Sequence, residues 1–469
     1  MLFNSLHFYI FCFIVFPIYF LLQEEKQKKL LLWASVYFYA CLKVAFVPLL
    51  LLSFIATFLG SIRIFESDSM KTKKLWLYFV LLINLGILIF FKYTDFLRSI
   101  SHDFQVFIGG NPGEFKAIGF ILPLGISFYT FQAIAYAVDV YRGILKPERS
   151  FSEFSLFLLF FPQLVAGPIM RADVLIPQFK GRKIFSLENF SIGMGQIALG
   201  IFKKTMIADP ISDFIEPIFA TPSNYDYLSC LLGVYFFTIQ IYCDFAGYSD
   251  IAIGSGKILG FNIPINFKRP YLASSSTDLW RRWHISLSTW LRDYIYITLG
   301  GSRVSILRNY FNVFVTMVIG GIWHGAAWTF VIWGFICGVS LTIEKFFIEF
   351  GYEKYFLKIP KLLRISYTFS LFMLGALFFR SLNFELGIQM LKRILTLESS
   401  GIFTINWILF IPISILFIIE VLEETEHLSK IKESGFYKLV RVPMLASIFL
   451  VAGAIYTVTA SPQFYYFQF

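Results

Sequence analysis

Between Asn309 and Ile343 the chain runs for 35 residues without one formally charged side chain, and the single imidazole in that run is His324. In lipid every backbone N–H and C=O must be satisfied within the segment, so a run of this length is confined to helix at membrane depth. A titratable group placed there is costly, which makes His324 the first functional candidate. Its setting points the same way. Gly320, Gly321 and Gly325 loosen the expected span, and Trp323 and Trp328 flank the imidazole as if shaping a cavity. The alternative is an interhelical histidine used as helix glue.

The remainder of the chain has the same character. Of its 469 residues 57% are hydrophobic, 20% aromatic and only 15% charged, which excludes an ordinary soluble domain. The expected fold class is therefore all-α: a polytopic membrane protein of roughly ten to twelve membrane segments. No polar stretch is long enough for a separate soluble domain, so residues 1–469 read as one membrane domain. The apolar N-terminus lacks a basic leader and a small-residue cleavage site, so it reads as a retained first span. Further spans are expected at Leu30–Ile62 (a hairpin broken near Lys43 and Pro48), Leu75–Phe91, Ala117–Val140, Phe154–Ala166 (short enough to be re-entrant) and Phe190–Ala208. After these come Leu228–Ile253, the His324 region, Ile365–Phe379, Thr404–Ile419 and Val442–Ala460. The five cysteines are odd in number and show no CxxC spacing, so neither a disulfide framework nor a metal site is expected.

The net charge of +10 resides in short loops between spans, the pattern of the positive-inside rule rather than of nucleic-acid binding. The longest such loop, Lys257 to Arg308, carries eight cations against Asp278 and Asp293 and is expected to face the cytoplasm. Thr205 to Ser255 has no Lys or Arg but carries Asp209, Asp213, Glu216 and Asp226 before the next span, so that loop is expected outside. Within the basic loop, Trp280, Trp283, Leu287, Trp290, Leu291 and Tyr294 share one helical face and Arg281, Arg282, Thr289, Arg292 and Asp293 the other. This reads as one interfacial amphipathic helix with Asp278 as its N-cap. Arg281 and Arg282 suit an anionic donor arriving from the cytosol, since guanidinium binds phosphate in a bidentate fork. His284 falls at the edge of the apolar face, toward the bundle.

Gln240 and Asp244 stand four residues apart on one face of a further span. A buried Asp244 can orient a histidine, or serve as one half of a structural ion pair.

Six stretches, in order, resemble the membrane-bound O-acyltransferase family: LPLGISFYTFQAIAYAVDVYRG (122–143), FPQLVAGPI (161–169), FKKTMIAD (202–209), YCDFAGYSDIAIG (242–254), NFKRPYLASSSTDLWRRWHISLSTWLRDYIYI (266–297) and GGIWHGAAWTFVIWG (320–334). The likeness is strongest over 122–334 and is nearest to the bacterial branch that includes the membrane subunit for alginate O-acetylation. It implies helices around a thinned centre, where a cytoplasmic funnel for an acyl donor meets an outer funnel for the acceptor. His324 matches the family's essential histidine and His284 its second, with Asp244, Gln240, Trp323 and Trp328 supporting or lining the channel.

Histidine suits the chemistry implied, because transfer from a thioester to a hydroxyl needs a base near neutral pH. No G-x-S-x-G elbow or catalytic cysteine motif is evident, which favours direct transfer. No bound cofactor is expected. The donor implied is acetyl-CoA or an acyl-carrier thioester. The partners implied are the lipid bilayer, a surface polysaccharide and an exported acyltransferase or esterase-like protein, at the bacterial cytoplasmic (inner) membrane. The alternative function is a proton-coupled transporter or flippase for an envelope precursor, using His324 and Asp244. The orientation is open to direct test: single cysteines placed between Lys257 and Arg308 in a cysteine-free variant are expected to resist impermeant thiol reagents in intact cells. Labelling from outside would reverse the topology.

Overall fold

The computed structural model describes residues 1–425 apart from 2, 4, 42, 165 and 166. Helix follows helix, and among the described residues no strand forms beyond an isolated bridge between Tyr225 and Ile402. The chain divides into two compact units, Met1–Gly193 with Ser255–Pro264, and Met194–Gly254 with the residues from Ile265 onward.

The first unit contains α1 (Leu6–Leu21), α2 (Glu24–Ala40), α3 (Val47–Glu66), α4 (Met70–Leu88), α5 (Thr94–Phe107), α6 (Ile126–Tyr141), α7 (Phe151–Leu159), α8 (Phe161–Leu164), α9 (Ala172–Leu175) and the start of α10 (Leu187–Ile201). The hairpin expected in Leu30–Ile62 is broken between Ala40 and Val47. Helix α3 is fixed to α4 by a buried polar cluster. Ser53 Oγ donates to Asn84 Oδ1 at 2.6 Å, and Asn84 Nδ2 donates to Thr57 Oγ1 at 3.0 Å. Where lipid offers no hydrogen bonds, such pairs set helix register. A π-helical turn at Ile89–Tyr93 joins α4 to α5, so the apolar helix runs on to Phe107, past the expected end. Helix α6 begins only at Ile126, after Gly125 in the left-handed region at φ +71°, so the first residues of the span expected from Ala117 are not helical.

The second unit holds the end of α10, a π-helical stretch Phe202–Ala208, α11 (Asp209–Ala220), α12 (Tyr227–Ile258, whose last turn lies in the first unit), α13 (Ser276–Arg282), α14 (Ile285–Leu291), α15 (Ile306–His324), α16 (Trp328–Glu349), α17 (Glu353–Lys358), α18 (Lys361–Arg380), α19 (Phe384–Leu395) and α20 (Phe410–Glu424). Its core joins Ile211, Ile215 and Ile218 of α11, Phe236, Phe237 and Ile241 of α12, and Phe372, Leu377 and Phe379 of α18.

Two expectations are corrected here. The single interfacial helix is instead two short helices, α13 and α14, broken at Trp283–His284. Its apolar face meets protein: Trp283 and Leu287 are each 2% exposed. The N-cap is Ser275, whose hydroxyl accepts the Asp278 N–H at 3.2 Å, while the Asp278 carboxylate accepts the Ser274 N–H. This is a reciprocal cap, with the acid in the first turn rather than at the cap. The His324 region is likewise a helix hairpin, with His324 the last residue of α15 and an extended link through Gly325 to α16.

That hairpin is held by glycine. A Cβ at Gly334 would stand 2.7 Å from the Met317 carbonyl oxygen, and one at Gly321 would stand 2.4 Å from that of Phe330. Only hydrogen side chains allow the two backbones so near.

Among the described residues six helical stretches are long and apolar enough to cross a membrane: Val44–Glu66, Met70–Phe107, Tyr227–Ile258, Ile306–His324, Trp328–Glu349 and Lys361–Arg380. The span expected at Val442–Ala460 lies outside the described residues. Replacing Gly334 by Val is expected to force α15 from α16 at a cost of about 1–3 kcal/mol or more, read as a lower thermal midpoint in detergent. Gly86→Ala, where nothing lies within 4 Å of the added carbon, is the control expected to leave the midpoint unchanged.

Candidate active site

All the candidate side chains lie in the second unit. His324 is 3% exposed and is surrounded by rings set edge-on to it. Trp323 and Trp333 each stand 4.9 Å from it between centroids, and Phe379 stands 5.3 Å away. Phe330 backs Phe379 at 4.9 Å. The imidazole therefore sits in a buried aromatic cage built from α15, α16 and α18. Trp328, expected to flank it, is the first residue of α16 and is 53% exposed; Trp333, more than a turn later, supplies a wall instead.

His284 is fully buried between α13 and α14, in the left-handed region at φ +41°. Its Nδ1 lies 3.2 Å from Asn266 Oδ1. That same oxygen accepts the Ser286 backbone N–H at 3.2 Å. A backbone N–H can only donate, which fixes the amide orientation and requires His284 Nδ1–H to be the donor. The other nitrogen, Nε2, keeps its lone pair and has no hydrogen-bond partner among the described residues. Phe245 packs on the ring at 4.6 Å, and Trp323 faces it at 6.1 Å. One indole thus separates two imidazoles far apart in sequence. Burial pushes His284 down from the ordinary 6.5 to about 3, so it stands neutral.

Asp244 is bonded by Lys204 at 2.7 Å, and Lys204 also reaches Asp209 at 2.7 Å. Beside it Lys203 pairs with Asp250 at 2.8 Å, and Gln196 donates to the same carboxylate at 2.7 Å. Gln240 is buried one turn before Asp244 on α12. The two lysines occupy the π-helical stretch after α10, where an added residue per turn distorts the regular projection of side chains. The helices can approach because a Cβ at Gly200 would fall 2.5 Å from the Gly247 carbonyl oxygen. FKKTMIAD carried the one available signal, adjacent lysines inside an apolar segment.

Arg281 is exposed. Arg282 is engaged within the protein, by Asp278 at 2.8 Å and by a bidentate pair with Glu424 at 3.0 and 3.1 Å. Arg269 Nε adds a bond to Glu424 at 2.7 Å. The Arg282 hydrogen bonds, with those of Arg269, hold the Glu424 carboxyl below its usual range. Among the described residues no group of three or more His, Cys, Asp or Glu is arranged around a possible metal ion.

The burial of His284 makes stability depend on pH. Between about 6.5 and 3 the unfolded chain takes up a proton that the folded chain refuses, so stability is complete above 6.5 and falls as the pH drops below it. His284→Asn, which removes the titrating ring, is expected to flatten that acid slope in thermal unfolding. An unchanged slope would refute the assignment.

The chain is similar in sequence to known proteins. The sequence pattern described as "MBOAT, membrane-bound O-acyltransferase family" matches residues 148–384, half of the chain, including both histidines. The chain is 36% identical to the peptidoglycan O-acetyltransferase of Helicobacter pylori, over 83% of this chain and 79% of the relative. It is 39% identical to the probable alginate O-acetylase AlgI of Pseudomonas syringae pv. tomato, over 81% and 73%. It is 29% identical to the teichoic acid D-alanyltransferase of Bacillus subtilis, over 50% and 61%. These relatives are named for acyl transfer, and the transporter alternative gains no support from them. A membrane-embedded helical chain with two buried imidazoles about one indole, matched in this way, belongs to the membrane-bound O-acyltransferase family and is an O-acyltransferase.

Proposed function

We propose that this protein takes an acetyl group from a cytosolic thioester, acetyl-CoA or an acyl-carrier protein, and passes it to a hydroxyl of a cell-surface polysaccharide or of an exported acyl-transfer or esterase-like partner. The site of action is the bacterial cytoplasmic membrane, and the shorter buried helices complete the ten to twelve membrane segments around a central channel. The observation that carries this reading is the His324 imidazole, enclosed by Trp323, Trp333 and Phe379. The acetylase names of two relatives support acetyl, and their named polymers, peptidoglycan and alginate, support a polysaccharide acceptor.

In this mechanism His324 removes the proton of the acceptor hydroxyl as its oxygen attacks the thioester carbonyl. The C–O bond forms, the C–S bond breaks, and the imidazolium returns the proton to the departing thiolate. No net proton is released, so one histidine completes the cycle. The cage contributes by excluding water, which would otherwise hydrolyse the thioester. His284 holds Nε2 as an acceptor across Trp323 and positions the donor end. Asp244 and Gln240 support the channel from α12, while Arg281 offers the exposed cation for donor phosphate. Arg282, already committed to Glu424, shapes that face rather than binding phosphate. A groove of about 860 Å³ bounded by Ser276, Phe335, Glu344, Arg364 and Leu374 lies among α13, α16 and α18 and suits the donor approach. Its outer residues belong to loops expected at the cytoplasmic face.

His324→Ala is expected to lower acetyl transfer by about 10²–10⁴-fold or more, the usual worth of a general base, with expression and membrane insertion near normal. The measurement uses proteoliposomes with labelled acetyl-CoA inside and de-acetylated polysaccharide outside. Full turnover in that variant would sink the assignment of the base, and efficient polymer acetylation without an exported partner would make this chain the complete enzyme.

A further inference from the structure

We infer that the loop leading into α10, residues 180–187, is a site for the headgroup of an anionic phospholipid, whose acyl chains lie against the apolar side chains beside it. Lys180, Arg182 and Lys183 fall within four residues, and residues 180–190 hold one acid, Glu188, against them. None of the three cations forms an ion pair among the described residues, whereas Lys28 on the neighbouring α2 is paired with Glu24, Glu25 and Glu153. The chain then turns apolar at once. Ile184 is 76% exposed, Phe185 54% and Leu187 72%. Unpaired cations followed directly by exposed apolar groups match the two layers of a membrane surface, phosphate above hydrocarbon.

The loop is held in place by the start of α2. Gln27 Oε1 accepts the Lys183 N–H at 2.9 Å, and Gln27 Nε2 donates to the Lys183 carbonyl at 2.8 Å. The same Nε2 donates to the Tyr19 carbonyl at 3.0 Å, which ties the loop to the end of α1. Glu24 Oε1 accepts the Gly181 N–H at 2.8 Å. The backbone beneath the cations is therefore fixed before a ligand arrives, and little of its ordering remains to oppose binding. The Lys183 ammonium stands 5.4 Å from the centre of the Phe261 ring, over an aromatic face. Phe185 packs on Phe20 of α1 at 5.6 Å. That helix is apolar, and its Phe13 and Leu21 are 82% and 81% exposed. The apolar part of the loop thus continues the lipid-facing surface of α1, and this continuity identifies the occupant as a lipid rather than a soluble phosphate or an acidic protein. By the positive-inside pattern the loop lies at the cytoplasmic leaflet. None of these groups takes part in the acyl transfer proposed above.

Each cation near an anionic membrane surface contributes about fivefold to affinity. Native mass spectrometry of the full chain in detergent, titrated with phosphatidylglycerol or phosphatidylcholine, is expected to show tight retention of the anionic lipid alone. Replacing Lys180, Arg182 and Lys183 together by Gln is expected to weaken that retention on the order of 100-fold. Ile184→Ser with Leu187→Ser is expected to weaken it with every charge intact. Should the triple variant fail to fold, Arg182→Gln alone, at an exposed position, is read against the fivefold expectation. Lys71→Gln with Lys73→Gln and Lys74→Gln removes the same charge from the start of α4 and is expected to leave the tight retention in place. Equal retention of the two lipids by the wild type, an unchanged affinity in the folded triple variant, or an equal loss in the α4 control would overturn the site. Displacement of the lipid by free acetyl-CoA would make the loop a donor-phosphate site and overturn the lipid assignment.

Discussion

Everything at the candidate site depends on how closely α15 and α16 approach. Gly321 and Gly334 bring backbone against backbone, so the hairpin turns within three residues and leaves His324 at the last position of its helix. Were the helices set apart by even one methyl group, Trp333 would withdraw from the imidazole and water could take its place. In a membrane, helix association gains little from the hydrophobic effect, so contact distance is set by small residues and polar pairs. The same rule operates where Gly200 meets Gly247 and buries two lysines against three carboxylates.

Those buried ions are poor evidence of stability, since desolvation offsets much of their attraction. Their value is uniqueness. Lys204 is satisfied only when Asp209 and Asp244 both reach it, which fixes the rotation of α12 about its axis. Phe237, Ile241 and Phe245 project from that helix toward the cage and toward His284. The π-helical turn that carries Lys203 and Lys204 is thereby tied to the site without touching it.

The parts legible in the sequence were those written in composition and periodicity. The absence of charge around His324 placed it in the membrane, and continuous apolar runs located most of the long helices. Other features were hidden for identifiable reasons. The amphipathic period from Trp280 to Tyr294 continues across a backbone break, because a left-handed residue at His284 reverses the chain locally yet leaves the face pattern intact. Trp328 and Trp333 have equal claims on sequence, and only the exit direction of α16 decides between them. Phe379 and Asn266 reach the site from distant segments, which no local pattern can report. Asp244 was ambiguous between a histidine and a cation, and the partner the structure gives it is Lys204. Arg282 looked like a phosphate ligand because its carboxylate, Glu424, lies 142 residues away.

That last distance bears on biosynthesis. The turn at His284 is pinned from one side by Asn266 and from the other through Arg282 and Arg269, whose common anchor is the end of α20. The third ring about His324 arrives with α18. A nascent chain inserted from its N-terminus therefore delivers both histidines before α18 and α20 complete what surrounds them. Until α20 is delivered, Arg269 lacks the Glu424 carboxylate and Arg282 keeps only that of Asp278. A chain stopped before Glu424 would therefore keep its membrane helices while the turn at His284 lacked one of its two anchors.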